Sequence, residues 1–416
     1  MAKIRLFLFY LLLAFLPTQL GRHFFFDFSF ISGIRSDYLA PTIYLTDIII
    51  FILLIFSLRS LKLKFTTSLL FVIYYLLFNS LLIASNQWIA LYKSAKILEL
   101  ILLGFVIIRI KPKILTVLKV LSISVFYSSV IALWQFILQR SVGGLFWFLG
   151  ERTFYATTPG IALFSWFGKL FLRPYATFSH PNVLGGFLTI SLPFFLYAVI
   201  NWKRKVSKIW LLWFKTMILV GNLVLFISFS RSAWVVCLLG YAFVLLLNNK
   251  KKINWLNNHK NILLTIIYSL IIISIILPLL VGQIAFGQNQ SLYERAVLVK
   301  TALTMFGQKP VFGWGLNNFI VQAKNYSFGL SDLYIFQPVH NLYLLVMTET
   351  GLIGFIFFIV FLTASFFKGA QKNFIITVSL MTIILLGCFD HYFFTLQQGQ
   401  LLLTIFISIA FLPQNT

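Results

Sequence analysis

Apolar runs of about twenty residues, the length that crosses a bilayer as a helix, recur along the whole chain. They lie near 6–20, 41–58, 66–84, 88–108, 114–138, 181–200, 209–229, 232–247, 261–281, 341–367, 373–390 and 399–412. In lipid every backbone N–H and C=O must be satisfied within the segment itself, so such runs are helices. They predict an all-α polytopic membrane protein with about 12 transmembrane helices. Composition agrees: 10% of residues are charged, against roughly 25% in soluble proteins. No internal repeat or low-complexity stretch divides the chain, so residues 1–416 read as a single integral membrane domain. Lys3 and Arg5 precede the first run without a small-residue cleavage site after it, which predicts a retained helix. Cys237 and Cys388 sit inside apolar runs and read as small core residues.

The charges give the runs an orientation. Lys+Arg number 33 against 9 Asp+Glu, and the cations cluster in alternate loops. These are Lys3 and Arg5; Arg59, Lys62 and Lys64; Arg109, Lys111 and Lys113; Lys203, Arg204, Lys205 and Lys208; Lys250 to Lys252 and Lys260; and Lys368 and Lys372. The positive-inside rule makes that side cytoplasmic, with both termini on it. It also accounts for the net charge without a nucleic-acid partner. The other side, periplasmic or extracellular, carries long loops near 21–40, 139–180 and 282–340. The aromatic 139–180 segment (Phe146, Trp147, Phe148, Phe164, Trp166, Phe167) reads as an interfacial anchor among membrane lipids. In the 282–340 loop, Ser291 to Glu294 is a capping-box pattern predicting a helix to about Phe306. Lys309-Pro310 ends it, and Gly313-Trp314-Gly315 makes a turn.

Polar residues gather on the outer side. Around Ser331 to Gly354 a polar loop ends at Pro338 and hands over to an apolar run, with His340 and Asn341 at the helix mouth. Polar residues there are costly, and helix N-termini favour anions. Three other groups lie on the same side: Arg173 to Asn182, with His180 between them; Ser230-Arg231-Ser232; and Arg295 with the Gly313–Asn318 turn. Arginine suits phosphate, and Arg231 sits between two apolar runs with little loop to escape into. Helical phase puts Gly351 on the His340 face, where glycine permits close helix packing, and turns Glu349 away toward a structural partner. Lys96 and Glu99 are spaced to pair with each other. Asp390 and His391 either join the site or form an interfacial polar cap. Asp47 reads as a favourable charge at a helix start. There is no P-loop, no GxSxG and no ligand set of metal-binding spacing, so neither cofactor nor metal is expected.

These stretches resemble the O-antigen ligase and polymerase superfamily. HNLYLLVMTETG at 340–351 is similar to its His-to-Gly motif. FSRSAWV at 229–235 resembles its Ser-Arg element, with Val235 where leucine is usual. RPYATFSHPNVLGG at 173–186 and KPVFGWGLNNF at 309–319 are similar to further signatures, and the likeness covers about 173–391. It implies a GT-C type membrane glycosyltransferase with no metal requirement. The donor it implies is a glycan on polyprenyl (undecaprenyl) diphosphate, displayed at the outer face of the bacterial inner membrane. The acceptor is a hydroxyl of a lipid-core sugar, a protein or a glycan. In that chemistry His340 is the general base or a diphosphate contact. Arg231, Arg173 and Arg295 meet the diphosphate, and Asn182 and Asn341 orient sugars. A polysaccharide polymerase shares these motifs. A transporter or flippase of lipid-linked glycans is a third reading, disfavoured by the missing repeat.

Overall fold

The computed structural model describes residues 1–58, 67–246, 260–284, 290–326, 337–372 and 374–412. Arg59, Lys62, Lys64, Lys250 to Lys252 and residues 331–336 lie outside the described residues, as does the Ser291 side chain of the expected capping box.

Every predicted apolar run falls on helix. The helices are α1 (Ala2–Ala14), α2 (Leu45–Ser57), α3 (Thr67–Phe78), α4 (Gln87–Ile110), α5 (Ile114–Leu138), α6 (Pro181–Asn201), α7 (Lys208–Ile227) and α8 (Arg231–Leu246). After them come α9 (Lys260–Ile284), α10 (Gln290–Gln308), α11 (Phe319–Ala323), α12 (Leu342–Lys372), α13 (Phe374–Gly387), α14 (Tyr392–Thr395) and α15 (Gln397–Ala410). Among the described residues, α5, α6, α7, α9 and α12 are long and apolar enough to cross a membrane; α2, the α3 region, α8, α13 and α15 are apolar but shorter. α4 has the length, at 24 residues, but carries Lys93, Lys96 and Glu99. The 282–340 loop is partly helical as expected, with α10 ending at Gln308, just before Lys309-Pro310.

One addition qualifies the all-α expectation. The segments between α1 and α2 and between α5 and α6 hold three two-stranded antiparallel sheets: Gly21–His23 with Thr42–Tyr44, Phe30–Ile31 with Ile34–Arg35, and Leu163–Trp166 with Lys169–Leu172. The last carries Trp166 and Phe167 at its tip, with Phe167 94% exposed, as an interfacial aromatic would be.

Helix starts follow local chemistry. Asn86 caps α4 by accepting from the Ile89 N–H at 3.2 Å. His180 caps α6, its Nδ1 accepting from the Asn182 N–H at 3.1 Å, with Pro181 as the first helical residue, where proline forfeits no hydrogen bond. α6 is the most buried of the long apolar helices and packs against α7, α8 and α13. α15 packs on α4, α12 and α13. Its first turn reaches back across the fold: Gln398 Nε2 donates to Pro17 O and Thr177 O, at 3.0 and 3.2 Å.

Two sequence readings are corrected here. α12 is broken at Gly351, whose φ of 65° and ψ of −172° are not helical. Helical phase therefore does not connect His340 with Gly351, and the glycine's close neighbour is loop backbone instead of a helix. A Cβ on Gly351 would lie 2.2 Å from Val311 O. The 310–315 loop docks into the break: the Leu352 N–H donates to Pro310 O, Trp314 N–H to Thr348 O and Gly315 N–H to Glu349 O. Glu349 does have the structural partners expected, accepting from the N–H groups of Asn317 at 2.7 Å and Phe319 at 3.3 Å. Asp47 is the second correction. Lys96 pairs with Glu99 at 3.4 Å as expected, but also with Asp47, which accepts from Gln397 as well. Asp47 thus ties α2 to α4 and α15 and does more than open its own helix.

Candidate active site

Asn341 is the residue that fixes the helix mouth. It is 1% exposed. Its Oδ1 accepts from the Leu344 N–H at 3.0 Å, the N-cap bond of α12. Its Nδ2 donates to Ser274 Oγ at 2.8 Å and Cys388 O at 3.2 Å. The side chain is thereby spent on joining α9, α12 and the end of α13, and it positions the neighbouring His340.

His340 faces the short link after α13. Its Nδ1 lies 3.5 Å from Asp390 Oδ1, an ion-pair approach without a formed hydrogen bond. Its Nε2 lies 3.3 Å from Gln337 Oε1. Asp390 is 8% exposed and surrounded by donors. Oδ1 accepts from the His391 N–H at 2.8 Å, and Oδ2 from Asn182 Nδ2 at 3.3 Å. Asn182 Oδ1 in turn accepts from Arg173 Nη2 at 2.6 Å, while Arg173 Nε donates to Ser228 O at 2.7 Å. The result is one chain of contacts from the turn before α8, through Arg173, Asn182 and Asp390, to His340. Arg295 joins from α10, its Nη1 donating to Phe389 O at 3.4 Å.

The electrostatics follow from burial and neighbours. Burial alone would raise the Asp390 carboxyl, but His340, His391 and Arg295 outweigh it and hold the group well below the usual carboxylate range. Burial, reinforced by Arg173, pushes His180 down to about 3, so it is neutral and free to accept at its cap. His391 is likewise lowered by burial to about 3, and its Nδ1 lies 2.7 Å from Thr395 Oγ1. Arg173 is lowered by burial to about 10 and keeps its charge at neutral pH.

His340, His180, Asp390 and His391 line a cavity of about 270 Å³. Its other wall comes from the first half of the chain and includes Tyr38, Tyr92, Lys93 and Arg152, closed by Gln397 and Gln400 of α15. Of the residues singled out from sequence, the fold brings together His340, Asn182, Arg173 and Arg295, and draws in Asp390 and His391. His340 lines the cavity, whereas Arg173, Arg231, Arg295, Asn182 and Asn341 lie outside its lining. Arg231 is exposed at the first position of α8, near Arg173, and among the described residues no ion pair engages it. Lys93, Tyr38 and the two glutamines escaped the sequence reading. A lysine inside an apolar run is a signal in its own right, whereas Tyr38 carried none.

Sequence spacing offered no metal set, because His340 and Asp390 are distant in the chain. The fold nonetheless gathers His340, Asp390 and His391 with ligand atoms all within 4.8 Å of one another. Their chemistry also suits a base held by a carboxylate.

Helices apolar enough to span a membrane thus carry a histidine–carboxylate cluster at a cavity, with Arg173 and Arg295 bonded to its immediate neighbours, an arrangement that can hold a proton acceptor beside fixed cations. The family model described as O-antigen ligase matches residues 216–359, from α7 into α12. Over that stretch the chain is similar to O-antigen ligases, a family of glycosyltransferase-like enzymes. Arg231, Arg295, His340 and Asn341 lie inside the matched stretch; Arg173, Asn182 and Asp390 lie outside it. No curated protein matches the chain.

Proposed function

We propose that the protein transfers a glycan from polyprenyl (undecaprenyl) diphosphate to an acceptor hydroxyl at the outer face of the inner membrane, as an O-antigen ligase-like enzyme of GT-C type without a metal. The observation that carries this reading is the pairing of His340 with Asp390 beside Arg173 and Arg295. A carboxylate at Nδ1 favours the tautomer with its proton there, and Nε2 serves as the acceptor once the Gln337 amide, whose Oε1 faces it at 3.3 Å, gives way to the acceptor hydroxyl. Nε2 takes the proton of the acceptor hydroxyl as its oxygen bonds the anomeric carbon. The bond from that carbon to the diphosphate breaks, and polyprenyl diphosphate leaves with the electron pair. Base catalysis of this kind contributes about 10²–10⁴-fold.

The leaving group is anionic and calls for fixed cations. Arg173 uses two of its five N–H donors inside the protein and has three left for phosphate oxygens. Arg231 and Arg295 add charge on the same side. Asn182 and Asn341 act as positioning residues, since their side chains are hydrogen-bonded within the protein. Purified protein given a lipid-linked oligosaccharide tests the reading. His340→Ala is expected to lose at least about a hundredfold in transfer, and Arg231→Ala to weaken donor binding. Full transfer by the first removes the base, and normal donor binding by the second removes that diphosphate contact. In cells, loss of polymer length would mark a polymerase, whereas intact but unattached polymer marks the ligase.

A further inference from the structure

Lys93 is an ammonium placed in the wall of the cavity that His340 lines. It is 4% exposed, on α4, and outside the stretch matched by the family model. An ammonium has three donors. Lys93 spends one on Phe394 O, and its charge sits 4.7 Å from the centre of the Phe394 ring. Among the described residues no carboxylate comes within ion-pair distance. The nearest acid, Glu349, is occupied by the N–H groups of Asn317 and Phe319. The other charges around the cavity are matched: Lys96 by Asp47 and Glu99, Asp37 by Arg35 at 3.2 Å, and Asp390 by the histidines and arginines around it. Among the described residues Lys93 and Arg152 form no ion pair with a carboxylate, and both line the cavity that His340 lines. A buried charge with unspent donors is costly unless something pairs with it.

We propose that Lys93, with Arg152, binds an anionic group on a sugar of the glycan substrate, a carboxylate or phosphate separate from the leaving diphosphate. Resting on the transfer reading above, this makes Lys93 a specificity residue that selects acidic glycans. Both Arg295 and Lys93 act on His391. Lys93 and Arg152 line the same cavity as His340 and His391, whereas Arg173 and Arg295 lie outside its lining, so the cations offered to an acidic sugar are distinct from those offered to the diphosphate.

Binding tests this without requiring transfer. One trisaccharide is made in neutral, uronate and sugar-phosphate forms, each both free, as an acceptor, and carried on polyprenyl diphosphate, as a donor. Dissociation constants are measured on the purified full chain in nanodiscs. A charged form is expected to bind at least about tenfold tighter than the neutral one. Preference among the free sugars assigns the group to the acceptor; preference among the lipid-linked ones assigns it to the donor. Lys93→Met should bring the ratio close to one. Lys93→Arg should keep it, and the exposed Arg152→Gln should reduce it even if Lys93→Met fails to fold. Equal binding of neutral and charged forms by the wild-type protein, or a preference that survives both Lys93→Met and Arg152→Gln, overturns the proposal. A wild-type protein that prefers charged sugars but transfers none counts against the transfer reading and leaves the Lys93 subsite standing.

Discussion

Replacing Asp390 with asparagine preserves shape and removes only the charge and one acceptor. The surroundings of the carboxylate make the consequence calculable. The His391 N–H and the His340 ring approach Oδ1, and the Asn182 amide donates to Oδ2. An amide has one oxygen and one NH₂. Whichever way it is turned, the NH₂ faces a donor. The 3.5 Å approach of His340 Nδ1 to Oδ1 becomes a charge-assisted hydrogen bond as the imidazolium forms, when it contributes about 1.5–3 kcal/mol, and without the carboxylate the proton on the histidine is no longer directed to Nδ1. At about 1.36 kcal/mol per tenfold in rate, Asp390→Asn should lower turnover by about 10–150-fold. The assay is transfer of a fluorescent lipid-linked oligosaccharide by protein in nanodiscs, with a thermal melt to confirm folding. Because Asp390 acts through His340, kcat should fall while KM stays near the wild-type value. A folded variant with kcat within threefold of wild type would refute the positioning argument, and equal loss in KM would recast Asp390 as a substrate ligand.

Two further outcomes follow from the same geometry. Gly351→Ala must place a Cβ 2.2 Å from Val311 O on a backbone at φ 65°; little monodisperse protein should survive extraction, and wild-type yield and melting temperature would show that the loop yields. Acid should destabilise the protein from about pH 6.5 downward. Burial holds His180 and His391 down to about 3 in the fold, against 6.5 ordinarily. Unfolded chains then bind protons that the fold refuses, so this stability is complete above 6.5 and is lost as pH falls toward 3. Each histidine contributes a slope of at most about 1.4 kcal/mol per pH unit. Asp390, held low, contributes with the same sign at more acid pH. A melting temperature unchanged from pH 7 to pH 5 would contradict both assignments.

The helices were legible because lipid leaves a backbone few choices: apolar length alone located α5, α6, α7 and α9. His340, Arg173 and Asn182 were legible through local motifs near helix starts. What escaped was long-range. Asp390 could be placed near the outer face, but its approach to a histidine fifty residues earlier depends on how α13 lies against α12. The break at Gly351 was misread because helical phase assumes a continuous helix, whereas the 310–315 loop supplies the hydrogen bonds that let α12 be interrupted. Lys93 stood in plain view, three residues before the better-paired Lys96, but no local pattern tells a lysine facing a cavity from one facing a carboxylate.

The contacts of α15 have a consequence for how the protein is assembled. Gln397 and Gln400 of α15 close the cavity, Gln397 holds Asp47 of α2, and Gln398 bonds Pro17 O and Thr177 O. A nascent chain inserted only as far as α13 would have its histidine and arginines in the membrane and still lack an enclosed chamber. Activity should therefore await the insertion of α15, and chains truncated before it should be inactive.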